Sequence, residues 1–184
     1  MNIHGKKIIL RAIEEEDLAL IHQWSNDPEI NYNLGGWHFP SSRQDQQKWF
    51  QSLSLKNNDQ RFAIETKEDG LIGMANLVDI NWKDRNAFHG ILLGFKEIRG
   101  KGYGVDTIMT INKYAFEELG LKRLDSTIIA YNEASLHVYL TKCGWKKEGV
   151  KKDFYFRKNT WGDQVIMGIT SEDYFQFISE NPYW

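Results

Sequence analysis

Cysteine, proline, long apolar runs and an excess of charge of either sign are all scarce in this 184-residue chain. Its one cysteine, Cys143, has no partner for an internal disulfide, and a thiolate zinc site needs more than one such ligand. A reducing, cytoplasmic setting is the expectation. Prolines stand only at Pro28, Pro40 and Pro182, so nothing breaks the chain between residues 41 and 181, and no repeat or low-complexity tract divides it. A single domain over residues 1–184 is expected, large enough to bury about 70% of its unfolded surface without a covalent staple. No run approaches the ~18 apolar residues of a membrane span, and the N-terminal segment turns acidic too early for a signal peptide. Lys and Arg total 23 against 25 Asp and Glu, a net charge of −2 that offers no bulk attraction to nucleic acid. Only Lys146, Lys147, Lys151 and Lys152 cluster, and that group reads as a solvated hairpin. No metal-ligand spacing exists among the histidines.

Hydrophobic period places the elements. Residues 7–12 read as a first strand, and Glu14, Glu15, Glu16 and Asp17 then put acid at a helix start, where the dipole favours it. A second helix is predicted from Ser42, with Asp45 completing a variant capping box and Gln46, Trp49, Phe50 and Leu53 on one face. Strands follow at 61–66, 71–80 and 87–95. The clearest helix spans 105–119, with Gly120 as its left-handed stop. Next come a strand at 123–130 and a shorter helix, capped by Asn132 and stopped at Gly144. Strands at 145–150, 152–157 and 164–169 follow, and Ser171 caps a terminal helical turn. The order β-α-α-β-β-β-α-β-α-β-β predicts an α/β (α+β) domain with a mixed central sheet rather than a doubly wound one.

Chemistry concentrates in Ile98-Arg99-Gly100-Lys101-Gly102-Tyr103-Gly104, between a strand and the long helix. Three glycines in five positions at the positive end of a helix dipole let successive amides point outward together, which makes a cradle for phosphate or pyrophosphate. A Walker loop would need a hydroxyl after Gly-Lys, and this loop has Gly-Lys-Gly. A dinucleotide fingerprint would follow the first strand of its βαβ unit, whereas this loop comes after four predicted strands.

Arg99-x-x-Gly102-x-Gly104 resembles the pyrophosphate loop of the GNAT acetyltransferases, which bind acetyl-coenzyme A. Asn132-x-x-Ser135-x-x-x-Tyr139-x-x-x-x-Gly144-Trp145 resembles that family's second signature, with Trp where Phe is commoner. The resemblance covers essentially the whole chain. It is closest to the RimJ/RimL and spermidine acetyltransferase branch, and looser toward the amino-sugar N-acetyltransferases. The implied fold is the GNAT fold, a mixed sheet flanked by helices.

Acetyl transfer from a thioester to an amine needs a deprotonated nucleophile, a stabilised oxyanion and a proton for the departing thiolate. The resemblance puts Tyr139 near the thioester sulfur as the proton donor; periodicity alone reads it as core beside Leu136 and Leu140. His89 falls where many relatives carry a Glu that draws a proton from the amine, and a histidine titrating near neutrality suits that role. A satisfied or surface histidine is the other reading. By resemblance, Leu92, Leu93 and Gly94 hold the pantetheine arm through backbone groups. Arg99, Gly100, Lys101, Gly102, Tyr103 and Gly104 surround the pyrophosphate, with Asn132 and Ser135 beside the arm. The acceptor is expected near the first helices and the loop at 26–40, at Glu29, Tyr32, Trp37 and His38, where aromatic and acidic groups suit an amine. The expected activity is metal-free, acetyl-CoA-dependent transfer through a tetrahedral intermediate to a primary amine of a small molecule, a polyamine such as spermidine or an amino sugar. A protein N-terminal acetyltransferase and a non-catalytic acetyl-CoA sensor are the alternatives. A homodimer or larger homo-oligomer is implied by relatives only.

Overall fold

A computed structural model describes residues 1–36, 39–95, 97–98 and 100–184. Two short strands, β1 (Ile3–His4) and β2 (Ile9–Arg11), open the chain. A 3-10 turn at Glu15–Asp17 runs into α1 (Leu18–Ser25), followed by α2 (Pro28–Tyr32) and α3 (Arg43–Gln51). An antiparallel meander comes next: β3 (Gln60–Thr66), β4 (Gly70–Asn81) and β5 (Asn86–Leu93). Helix α4 (Tyr103–Lys113), extended by a π-helical turn at Tyr114–Glu118, crosses to β6 (Arg123–Ile129), which lies parallel to β5. Then α5 (Glu133–His137), with a π-helical turn at Val138–Lys142, leads to the hairpin of β7 (Lys146–Arg157) and β8 (Thr160–Thr170), and α6 (Ser171–Glu180) follows.

The eight strands form one sheet in the order β1-β2-β3-β4-β5-β6-β8-β7. All pairs are antiparallel except β5 with β6, so the sheet is mixed, as the element order implied. Side chains alternate across it. One face carries Leu10, Ile64, Leu77, Leu124 and Met167 against Ile108, Met109 and Ile111 of α4. The opposite face carries Ala63, Met74 and Leu92 against Ile21 and Trp24 of α1 and Trp49 of α3.

Local rules explain most boundaries. The Ser42 hydroxyl accepts from the Asp45 amide while the Asp45 carboxylate accepts from the Ser42 amide, the reciprocal cap that starts α3. Gly120 and Gly144 hold φ of +65° and +76° where the two π-extended helices stop. Three expectations change. Thr170, rather than Ser171, caps the last helix, because its side chain accepts from the Asp173 amide, and that helix runs ten residues instead of one turn. The strands expected at 145–150 and 152–157 are one strand, β7, whose register shifts between Lys151 and Tyr155, with Asp153 at φ +51°. The first strand, expected at 7–12, is a pair of short ones closed by a tight turn.

That turn is held by Asp106. Its carboxylate, on the first turns of α4, is fully buried. Oδ2 accepts from the amides of Lys7 (2.6 Å) and Ile8 (3.0 Å), while Oδ1 accepts from the Lys6 amide (3.1 Å) and the Tyr183 hydroxyl (2.7 Å). Gly5 allows the approach, since a Cβ there would stand 2.6 Å from Asp106 Oδ2. Asp106→Ala strands these donors in the interior, so a loss of roughly 3 kcal/mol or more is expected in urea unfolding. A loss below about 1 kcal/mol would show that the buried donors find other partners.

Candidate active site

Strands β5 and β6 pair only at Asn86↔Arg123, Ala87↔Leu124 and Phe88↔Asp125. Beyond that they part, β5 running to Leu93 beside β4 and β6 to Ile129 beside β8. A cavity of about 540 Å³ opens in the wedge. His89, Ile91, Ser126 and Tyr139 line it from the α4 side of the sheet, and Asn76, Gly90 and Leu92 from the α1 side.

The free edge of β5 presents its backbone to this wedge. Gly94 donates its amide to Ile72 of β4 at 2.9 Å, so the antiparallel alternation turns the Gly94 and Leu92 amides toward β4 and those of Leu93 and Ile91 toward the gap. Of the three positions expected to offer backbone groups, Leu93 therefore faces the gap. Ile91 joins it, a position the sequence reading missed. Gly94 has another duty: a Cβ there would lie 1.9 Å from Trp24 Cε2, so the residue lets the indole pack against the strand end.

At the mouth of the wedge, Gly100 and Gly102 adopt φ of +80° and +85°, and Gly102 is the N-cap of α4. The first amides of α4 have no intrahelical partner and point out at the positive end of its dipole. Lys7, brought here by the Asp106 turn, donates from Nζ to the Lys101 carbonyl at 2.8 Å, and a Cβ on Gly102 would stand 3.2 Å from that ammonium. A second cavity, about 650 Å³, flanks the loop and is lined by Lys6, Lys7, Lys67 and Lys101. A polyanion with a long flexible arm fits this arrangement: lysines and helix amides for phosphates, an open strand edge for amides. Two of the expected loop residues also have partners within the protein. Lys101 Nζ pairs with Asp69 at 3.0 Å, and the buried Tyr103 gives its hydroxyl to the same carboxylate at 3.1 Å. These partners hold the Asp69 carboxyl below the usual range. Arg99 lies outside the described residues.

Tyr139 enters the wedge from the π-helical turn after α5. Asn132 positions that helix, accepting from the Ser135 amide at 3.3 Å and donating to the Asn33 carbonyl at 3.3 Å, and both Asn132 and Ser135 line the cavity. Burial raises the Tyr139 hydroxyl well above the ordinary phenol range, and the Ser126 side chain opposes that rise only weakly. The phenol therefore stays protonated. Its ring lies 5.0 Å from Trp145, edge to face, and 5.9 Å from His89.

His89 is fully buried on β5. Its Nδ1 faces the Asn76 carbonyl at 3.0 Å; a carbonyl can only accept, so Nδ1 carries the hydrogen and Nε2 the lone pair. Nε2 is buried without a hydrogen-bond partner. Desolvation lowers the pKa to about 4, with the Asn76 carbonyl opposing it, so the expected titration near neutrality is displaced into the acid range. At neutral pH the ring is an uncharged proton acceptor beside a protonated phenol.

Comparison with known proteins agrees with this geometry. Residues 7–146 match the family model described as an acetyltransferase (GNAT) domain. The chain belongs to the GNAT acetyltransferase family. It is 29% identical over 170 residues to an uncharacterized N-acetyltransferase, YokL, of Bacillus subtilis, covering 92% of this chain and 93% of the other. It is 28% identical over 173 residues to a spermidine N(1)-acetyltransferase of Vibrio cholerae, covering 92% and 96%. The crystal structure of a Vibrio cholerae spermidine N-acetyltransferase with CoA and spermine superposes with a TM-score of 0.84 at 26% identity, over 93% of this chain and 99% of that one.

Of the residues expected to hold the acceptor, the two that are described stand outside the cavity wall. Tyr32 does not line the cavity. It stacks on Tyr131 at 4.6 Å under Lys158, whose Nζ lies 4.2 Å from the ring centroid, and so ties α2 to the turn before α5. Glu29 lies exposed on α2, outside the lining. Trp37 and His38 lie outside the described residues. Instead the wall is made by Asn33, Leu34, Trp49, Arg61 and Tyr155. Among the described residues no group of three His, Cys, Asp or Glu is placed to hold a metal, and no helix is long and apolar enough to cross a membrane.

Two outcomes follow from this site. A Gly102→Val variant must place a branched side chain at φ +85° against Lys7, and strain of about 1–3 kcal/mol should weaken coenzyme A binding about fivefold or more by calorimetry. An unchanged Kd would refute the cradle. The unfolded chain protonates His89 near 6.5 and the folded chain only near 4, so the contribution of His89 to stability is full above 6.5 and is lost as pH falls toward 4. At pH 4.5 the His89 contribution to that loss is about 2.5 kcal/mol. Urea unfolding at pH 7.5 and 4.5 should show that extra loss in the wild type and not in His89→Gln; equal losses would remove burial of His89 as the cause.

Proposed function

We propose that the protein transfers acetyl from acetyl-coenzyme A directly to a primary amine of a small molecule, with Tyr139 as proton donor and His89 as proton acceptor. The observation that carries this reading is the wedge between β5 and β6, where Tyr139 with a protonated phenol and His89 with an uncharged imidazole line one cavity. Acetyl-coenzyme A supplies the activated thioester. The Leu93 and Ile91 amides hold and polarise it from the open strand edge, and the first turn of α4 with Lys7 binds its phosphates. His89 Nε2 receives the proton of the incoming amine, and the Tyr139 hydroxyl returns one to the leaving thiolate. Cys143 takes no part: its thiol is buried and pushed up to about 12, so no side-chain nucleophile interrupts the transfer.

The spermidine acetyltransferase relatives support a small-molecule amine over a protein N-terminus or a sensor, with a polyamine or an amino sugar as the acceptor class. A cytoplasmic enzyme is supported by the free buried thiol, and a homo-oligomer by the unpaired outer edge of β7. The decisive experiment follows thiol release from acetyl-coenzyme A over a panel of amines. Tyr139→Phe should lower kcat about 10²-fold while leaving coenzyme affinity unchanged. An unaltered kcat would remove Tyr139 from the proton path.

A further inference from the structure

The strand registers set Arg61 opposite Asn76, and Asn76 opposite Gly90. One row thus runs across β3, β4 and β5 on the α1 face, its members about 4.8 Å apart. All three line the transfer cavity. Met74, Phe88, Leu92 and Trp49 add apolar wall beside the row. Gly90, next to His89, adds no side chain; a Cβ there would stand 3.3 Å from Asn76 Nδ2, so the inner end of the row is left open. Asn76 Oδ1 is buried without a partner.

Arg61 is the charged member. Its side chain is only 32% exposed, and its ion pair with Asp59 is a single 3.5 Å contact to a carboxylate that does not line the cavity. No Asp or Glu lines the cavity among the described residues. A polyamine placed here would bring further ammonium groups against a partly desolvated guanidinium, with no carboxylate in the wall to balance them. An oxyacid group on the acceptor would instead meet the planar fork that binds carboxylate or phosphate through paired hydrogen bonds.

We infer that the acceptor is an amine bearing a carboxylate or phosphate, which Arg61 binds, with Asn76 hydrogen-bonding the polar stretch between that group and the amine. The inference rests on the acetyl-transfer reading of this cavity and narrows its acceptor class away from polyamines. Along the row, the backbones of Arg61 and Gly90 stand two strand spacings, about 10 Å, apart.

Thiol release from acetyl-coenzyme A tests it with matched probes: glucosamine 6-phosphate against glucosamine, 6-aminohexanoate against 6-aminohexanamide, and spermidine. The charged member of at least one pair should exceed its neutral partner about 10-fold or more in kcat/KM, chiefly through KM. Which pair shows this tells phosphate from carboxylate. In Arg61→Gln the ratio should collapse toward one, and Arg61→Lys, which keeps the charge without the fork, should retain part of it. Spermidine as the best substrate, or a ratio that survives Arg61→Gln, overturns the inference. Should Arg61→Gln fail to fold, the wild-type ratio and the Lys variant still decide. No turnover of any probe, with coenzyme A bound normally, overturns the acetyl-transfer reading itself, and the inference falls with it.

Discussion

The buried carboxylate of Asp106 is the constraint on which the rest of the molecule turns. A charge with no access to water must be fully hydrogen-bonded, and here its donors come from the chain's first strands and from Tyr183 near the other end. Satisfying one side chain on α4 therefore locks the first hairpin, the helix that follows the glycine loop, and the C-terminal segment into one unit. Lys7 reaches the Lys101 carbonyl because its own amide is held by Asp106. The lysine-lined cavity beside the loop comes from that same fold-back. A chain with a net charge of −2 thus gathers lysines at one point.

The wedge is the second determinant. Three parallel residue pairs are enough to fix β6 beside β5, and the strands then separate because each keeps its other neighbour, β4 or β8, along its length. Separation leaves the edge of β5 with amides that face a cavity instead of a strand. It also leaves His89, Ser126 and Tyr139 gathered in low-dielectric surroundings, where desolvation holds the imidazole deprotonated and the phenol protonated. One environment thereby sets both proton states, because burial beside Trp145 disfavours the charged form of each group.

Much of this was legible because it obeys local rules. The capping pair Ser42 and Asp45, the Asn132 cap, the stops at Gly120 and Gly144 and the glycine loop are each decided by residues within a turn of one another. The mixed sheet followed from element order. What was not legible depends on register and depth. Arg61, Asn76 and Gly90 lie far apart along the chain, and only strand pairing sets them in a row. The ordinary titration range attributed to His89 failed because burial is a tertiary property. Tyr32 looked like a ligand-binding aromatic because nothing near it in sequence announced the ring of Tyr131.

The cavity passes through the sheet, with Tyr139 and Ile91 on one side and Asn76 and Arg61 on the other. On the proposed reading, coenzyme and acceptor would approach the wedge from opposite faces of the sheet. Neither has to leave before the other arrives, and the sheet is the partition at which they meet. Such a passage favours a ternary complex with loosely ordered entry over a shuttle through an acylated enzyme. The tightness of one pocket can then drift in evolution while the other stays as it is. One scaffold of this kind can change its amine without relearning its coenzyme.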